Sequence, residues 1–365
     1  MSSHARQLML YRLKVPLTEP YKLSFGPVRW FDTILVVAMN DGALGCGEAT
    51  VLTGYTDETI DDAWSTAQAV AARMIDESND ARRTLDALRA THPFTATAFG
   101  TALDMLAGHP MLDVDRPTSV PLVGLLNARE DAAMAHEIDR LLRAGYRTLK
   151  LKVGFEIGAD IAFVRTAQRL CGGRARLRID ANQAYTVEEA RRFVTSVAPD
   201  DVELFEQPCA AGDWDAHTAV ARVSQLPLML DESIYGLADI ERAAELEAGA
   251  YIKLKLMKLG GIDALASALA RIRALGMQPV LGNGVACDIG CWMEACVAAR
   301  LIDTAGEMNG YLKARGSLLC NPPVFRDGAI RLAPGYRPRL DPDALDRYTV
   351  ARWSSSPADI LKETL

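Results

Sequence analysis

The chain has 365 residues, a net charge of −7 and a hydrophobic content of 49%. At about 150 residues per domain the length suggests two domains, and 24% charged residues exclude a disordered, collagenous or fibrous chain. The acidic balance argues against a nucleic-acid partner. No apolar run reaches the ~18 residues of a membrane span, and the opening MSSHARQLMLYRLKVPL has no apolar h-region, so a cytoplasmic protein that does not associate with membranes is expected.

The first third reads as α+β. Residues 8–15 alternate weakly and suit a strand. Residues 33–39 and 44–49 are strand-like runs flanking the turn signal Asn40-Asp41-Gly42. Residues 61–75, 80–90 and 94–107 have the spacing of helices with one apolar face, and 109–119, with two prolines, reads as a linker. From Val120 the pattern changes to short apolar runs alternating with helix-length segments: VPLVGLL, TLKLKV, ARLRID, VELFEQ, LPLMLDE, YIKLKL and QPVLGNG. Repeated βα units imply a parallel sheet, and this many favour a closed barrel. The expected organisation is an α+β capping domain (1–118), a modified barrel (119–321) and a C-terminal segment (322–365) that returns to the capping domain. The seven cysteines form no CxxC pair and read as reduced thiols. The five histidines fall outside every motif, and Trp292 and Met293 read as packing residues. Gly282-Asn283-Gly284 lacks the third glycine of a dinucleotide loop, and no phosphate loop or nucleophile elbow is present.

Three acids end consecutive predicted strands: Asp180 in LRIDANQAY, Glu206 in VELFEQP and Asp231 in LMLDES. Each follows the last by about one βα unit, so all three emerge at the rim where barrel active sites form. Converging carboxylates repel unless a cation neutralises them, and an all-oxygen set selects a hard ion, Mg²⁺ with Mn²⁺ as a possible substitute. One strand earlier stand Lys150 and Lys152, and one strand later Lys253 and Lys255. Each pair shares a strand face. The leucines between them suit the outer, helix-covered face, which leaves the lysines pointing inward. There, neighbouring cations should lower their pKa values toward those of useful bases.

This set of motifs resembles the enolase superfamily and, within it, the muconate-lactonizing-enzyme subgroup. The resemblance includes LTEPYKLSFG, DGALGCGEAT, DANQAY, FEQP, LDES and KLMKLGG. It implies a (β/α)7β barrel under a capping domain. Asp180, Glu206 and Asp231 match the metal ligands, Lys152 and Lys255 the acid/base pair, and Lys150 the neighbour that tunes Lys152. Asn182, Glu232 and Lys253 are expected to support these groups from behind, Lys253 tuning Lys255. The implied chemistry is abstraction of the proton α to a carboxylate. Racemisation or epimerisation by two lysines leads; dehydration of a hydroxy acid, cycloisomerisation or an o-succinylbenzoate-synthase-like elimination are alternatives, and a non-catalytic metal-binding barrel is a remote one. A small carboxylate substrate and a homo-oligomer are expected.

The chain departs from the family pattern. ALDMLAGHPMLDVD replaces AxxDxxGK, and GNGVACDIG puts Ala286 where relatives carry an acid, with Asp288 two residues on. Glu307-Met308-Asn309-Gly310 resembles a polar variant of the DxD that binds amines in epimerases. Glu307 and Asn309 are candidates to receive a cationic nitrogen, with a barrel-end salt bridge as the alternative for Glu307. Asp288 and the aromatic residues Tyr21, Phe25, Trp30 and Tyr55 of two capping loops complete the predicted substrate wall, which suits an amino acid, dipeptide, proline or betaine derivative.

Overall fold

A computed structural model describes residues 5–23, 26–75 and 81–355. The chain opens with antiparallel strands β1 (Gln7–Leu23), β2 (Gly26–Asn40) and β3 (Ala43–Thr50). Asp41 and Gly42, with φ of 46° and 81°, make the tight turn between the last two. β1 and β2 are longer than the sequence pattern predicts. From Phe31 onward β2 is mostly buried, but residues 26–30 are half-buried or exposed. Cross-strand pairs such as Tyr21 with Val28 carry this outer arm, and backbone pairing leaves no hydropathy signal. Helices α1 (Ile60–Met74), α2 (Ala81–Arg89) and α3 (Pro93–Leu106) follow, within a residue or two of the predicted spans.

The second part begins with β4 (Thr118–Pro121) and then repeats strand and helix: β5 (Gly124–Leu126), α4 (Asp131–Arg143), β6 (Thr148–Lys152), α5 (Ile157–Cys171), β7 (Arg176–Asp180), α6 (Val187–Ser196), β8 (Val202–Glu206), α7 (Trp214–Ala221), β9 (Leu228–Leu230), α8 (Leu237–Glu245), β10 (Tyr251–Leu254), α9 (Ile262–Ala274), β11 (Gln278–Leu281) and α10 (Asp288–Leu301). β5 to β11 form one parallel sheet in sequential order. Residues 305–307 close it as the eighth stave: Glu307 N donates to Leu281 O at 3.1 Å, Gly306 N donates to Pro121 O at 2.9 Å, and Gly306 O accepts from Val123 N at 3.0 Å. Closure depends on Gly282 (φ 144°), where any Cβ would collide with the Glu307 backbone.

The alternation along the strands sorts side chains as the sequence predicts. Leu149 and Leu151 join the apolar layer with Met134, Ile138 and Val164 of α4 and α5, and Ile252 and Leu254 pack with Ile240 and Leu269 of α8 and α9. Lys150, Lys253 and Lys255 are buried on the barrel's inner side. After the barrel, β12 (Val324–Arg326) pairs with β13 (Ala329–Leu332), which pairs with β4. Helix α11 (Pro342–Tyr348) then leads into β14 (Thr349–Ser354), which pairs with β1. No helix among the described residues is long and apolar enough to cross a membrane. The seven cysteines are free, and all but Cys320 are buried.

Candidate active site

β7 and β8 end on Asp180 and Glu206, and Asp231 follows directly after β9, so three neighbouring strands bring their acids to one rim. All three are buried. Ammonium groups knit them together. Lys150 Nζ lies 2.9 Å from Asp180 Oδ2 and 2.6 Å from Glu206 Oε2. Lys253 Nζ lies 3.0 Å from Glu206 Oε1 and 3.4 Å from Asp231 Oδ2. The outer lysines each take one end of the row: Lys152 Nζ is 2.7 Å from Asp180 Oδ2, and Lys255 Nζ is 2.7 Å from Asp231 Oδ1. Lys152 also donates to Asn182 Oδ1, and Asn182 Nδ2 donates to Glu232 Oε1 at 2.9 Å.

The lysine pKa values do not follow the sequence expectation. Burial pushes Lys150, Lys152 and Lys253 down, yet the surrounding carboxylates outweigh it and hold all three above the ordinary lysine value. The expectation weighed cation against cation, whereas the folded site presents each of these ammonium groups to carboxylates. Lys258 is the exception. Burial and the neighbouring Lys255 charge lower it to about 7. Its ammonium donates to Ile234 O at 3.0 Å and sits 3.9 Å from the centre of the Tyr235 ring. Asp180 is held down at about 2, since Lys150, Lys152 and Lys253 overcome its burial. Glu206 is pushed up to about 7 by burial and by Asp180.

Among the described residues no cluster of acids stands ready-made at ligand distance from one point, because ammonium groups occupy the space between them. The site nonetheless fits a hard divalent cation. Its donors are carboxylate oxygens from adjacent strands, each within reach of a shared positive charge, and Lys150 and Lys253 stand in for the charge such an ion would bring.

Tyr21, Tyr55, Asn283, Gly284 and Val285 complete the lining of the cavity, which has room for about one water at ≈ 20 Å³. Lys255 lies 4.3 Å from the centre of the Tyr55 ring, and Tyr235 OH donates to Tyr55 O, tying this capping loop to the barrel. Several sequence expectations need correction. Asp288 does not face the cavity. It starts α10, accepts from Ser317 Oγ at 3.0 Å and Leu318 N at 2.9 Å, and so anchors the C-terminal segment. Trp30 lies on the outer arm with Lys14 over its ring and its indole N–H bound to Asp32. Glu307 lines the cavity but offers no free negative charge. It accepts from Lys150 at 2.9 Å and Lys253 at 2.7 Å, and these cations overcome its burial to hold its pKa well below the usual carboxylate value. Asn309 is bound to Lys313 Nζ at 2.6 Å. Phe25 lies outside the described residues. Lys258 stood within a quoted motif without a role, and Lys313 sits in an irregular turn that no periodicity marks.

The family model for the enolase C-terminal domain-like fold matches residues 133–344. An L-Ala-D/L-Glu epimerase of Clostridium acetobutylicum is 27% identical over 352 residues, covering 89% of this chain and 93% of that protein. A muconate cycloisomerase of Acinetobacter lwoffii is 28% identical over 359 residues, covering 91% and 92%. The crystal structure of a dipeptide epimerase from Cytophaga hutchinsonii, complexed with Mg and the dipeptide D-Ala-L-Val, superposes with a TM-score of 0.85 at 22% identity, covering 96% of this chain and 99% of that one.

Proposed function

Since the chain belongs to the enolase superfamily, among the relatives of muconate-lactonizing enzyme, we propose that it is a Mg²⁺-dependent racemase or epimerase acting at the carbon α to a carboxylate of an amino-acid-type substrate. One observation carries this reading. Lys152 ends β6, the second stave, and Lys255 follows β10, the sixth, so they face each other across the barrel with the three acids on the staves between them. Two bases on opposite sides of a planar carbanion are what inversion requires.

Asp180, Glu206 and Asp231 would hold the ion. When bound, Mg²⁺ supplies positive charge that competes with the lysines for these carboxylates and makes the α-proton of a coordinated substrate carboxylate more acidic. Lys152, in its amine form, takes the proton from one face, and Lys255, as ammonium, returns one to the other; the reverse direction exchanges the roles. Lys150 and Lys253 set the charge around these two. Asn182 fixes the Lys152 amine, and Tyr55 covers Lys255.

The test is α-proton exchange in D₂O followed by NMR over a panel of amino-acid derivatives. Lys152→Ala and Lys255→Ala should each abolish racemisation, and each should still exchange the α-proton of a different enantiomer. Normal racemisation by either variant overturns the two-base reading. The similarity to a cycloisomerase supports a second reading in which the same carbanion closes or opens a ring. One base suffices there, so full turnover with one lysine removed would select it.

A further inference from the structure

Two of the four inward lysines pair with acids that a metal ion would also need. Lys150 lies 2.9 Å from Asp180 and 2.6 Å from Glu206. Lys253 lies 3.0 Å from Glu206 and 3.4 Å from Asp231. Each is only 3% exposed, so neither can turn to solvent. Lys152 and Lys255 have other support, Lys152 from Asn182 Oδ1 and Lys255 from the face of the Tyr55 ring. Among the described residues, one carboxylate outside the ligand set lies within salt-bridge distance of Lys150 or Lys253. It is Glu307, and it reaches both: Oε1 accepts from Lys150 at 2.9 Å and Oε2 from Lys253 at 2.7 Å.

A divalent ion at this rim sets up a competition. Asp180, Glu206 and Asp231 cannot serve the ion and keep their full hold on two ammonium groups, because the ion repels neighbouring cations. An ammonium left buried without a partner is far more costly than one that keeps a hydrogen-bonded counter-charge. Glu307 is fixed where it can supply that counter-charge. Its N donates to Leu281 O at 3.1 Å and its carbonyl oxygen accepts from Asn309 N at 2.6 Å. Gly282, without a side chain, lets its backbone come this close. From this pinned backbone the side chain gives one oxygen to each lysine, and neither oxygen belongs to a metal-ligand acid.

We propose that Glu307 is a positioning residue for metal binding: it keeps Lys150 and Lys253 paired while Asp180, Glu206 and Asp231 turn to the divalent cation. This rests on the metal assignment above and adds to it a fourth acid that does not itself ligate. Without Glu307 the two lysines compete with the ion for the same oxygens.

Calorimetric titration with MgCl₂ tests it, on the wild type and on Glu307→Gln and Glu307→Asp, each made with and without Lys253→Met. Glu307→Asp keeps the charge but is one methylene shorter on a pinned backbone, so it should not span both lysines. Either substitution alone should weaken Mg²⁺ binding by at least ~10-fold. With Lys253 replaced, only one ammonium needs the carboxylate, and the loss caused by either Glu307 substitution should shrink to within about threefold. A role through negative charge alone predicts otherwise: wild-type affinity in Glu307→Asp, and the same loss from Glu307→Gln in both backgrounds. Either result overturns the proposal, as does wild-type affinity in Glu307→Gln. Circular dichroism of the metal-free variants checks folding, and if one substitution unfolds the protein, the comparison of backgrounds with the other decides. Absence of Mg²⁺ binding by the wild type would instead refute the metal assignment, and the role of Glu307 with it.

Discussion

Glu206 is the most contested side chain of the site. Lys150 holds one oxygen at 2.6 Å and Lys253 the other at 3.0 Å, while burial and Asp180 push its pKa up to about 7. Glu206→Gln keeps the shape and removes the charge. Mg²⁺ affinity, measured by calorimetry, should fall by at least ~10-fold and α-proton exchange should be lost; wild-type affinity would overturn the ligand assignment. In the wild type, Mg²⁺ affinity should weaken as pH falls below about 7, by up to ~10-fold per unit, because a protonated Glu206 cannot serve as an anionic ligand. A titration that is flat between pH 8 and 6 contradicts this. The convergence of Asp180, Glu206, Asp231 and the four inward lysines on one rim was legible because strand alternation and βα spacing are local properties. The environment of Glu307 was not. Its partners Lys150 and Lys253 are 157 and 54 residues away in sequence, and only closure of the barrel brings them to it.

At the level of elements, Glu48 joins the capping sheet to the barrel. It sits on β3, accepts from Gly290 N on α10 at 2.9 Å, and burial pushes its pKa up to about 8. Nearby Glu294 accepts from Leu256 N at 2.8 Å and is likewise pushed up by burial, to about 7. Both folded values exceed the unfolded value of 4.5. Their contribution to stability is therefore complete below about pH 4.5 and is lost as pH rises through 7 to 8. Urea unfolding should show wild-type stability declining from pH 5 to 8, and Glu48→Gln should reduce that decline by at least ~1 kcal/mol. An unchanged slope would mean that Glu48 does not titrate there. The sequence showed Glu48 only as part of a strand-like run. Asp288 misled for a related reason: its nearness to the seventh strand placed it at the barrel mouth, yet as the first residue of α10 it turns toward Ser317 and Leu318.

Across the whole molecule, the barrel presents three acids and four inward lysines at one rim, beneath loops of the capping sheet. A divalent ion that binds this rim only in the folded state should raise stability by ~2.7 kcal/mol when present at 100 times its dissociation constant. A thermal melt with and without Mg²⁺ checks this: the midpoint should rise with Mg²⁺, return with chelator and rise less in Glu206→Gln at the same Mg²⁺ concentration. The sequence by itself determined the barrel, the order of its staves and the acids and lysines on their inner faces, because a period of two along a strand and a repeat of one βα unit are written in consecutive residues. Only the tertiary structure decided which charges remain available. Stave closure spends Glu307 on Lys150 and Lys253, helix α10 spends Asp288 on the C-terminal segment, and Lys313 is left facing Tyr21, since the pairing of buried charges depends on distances between segments that the local pattern does not contain.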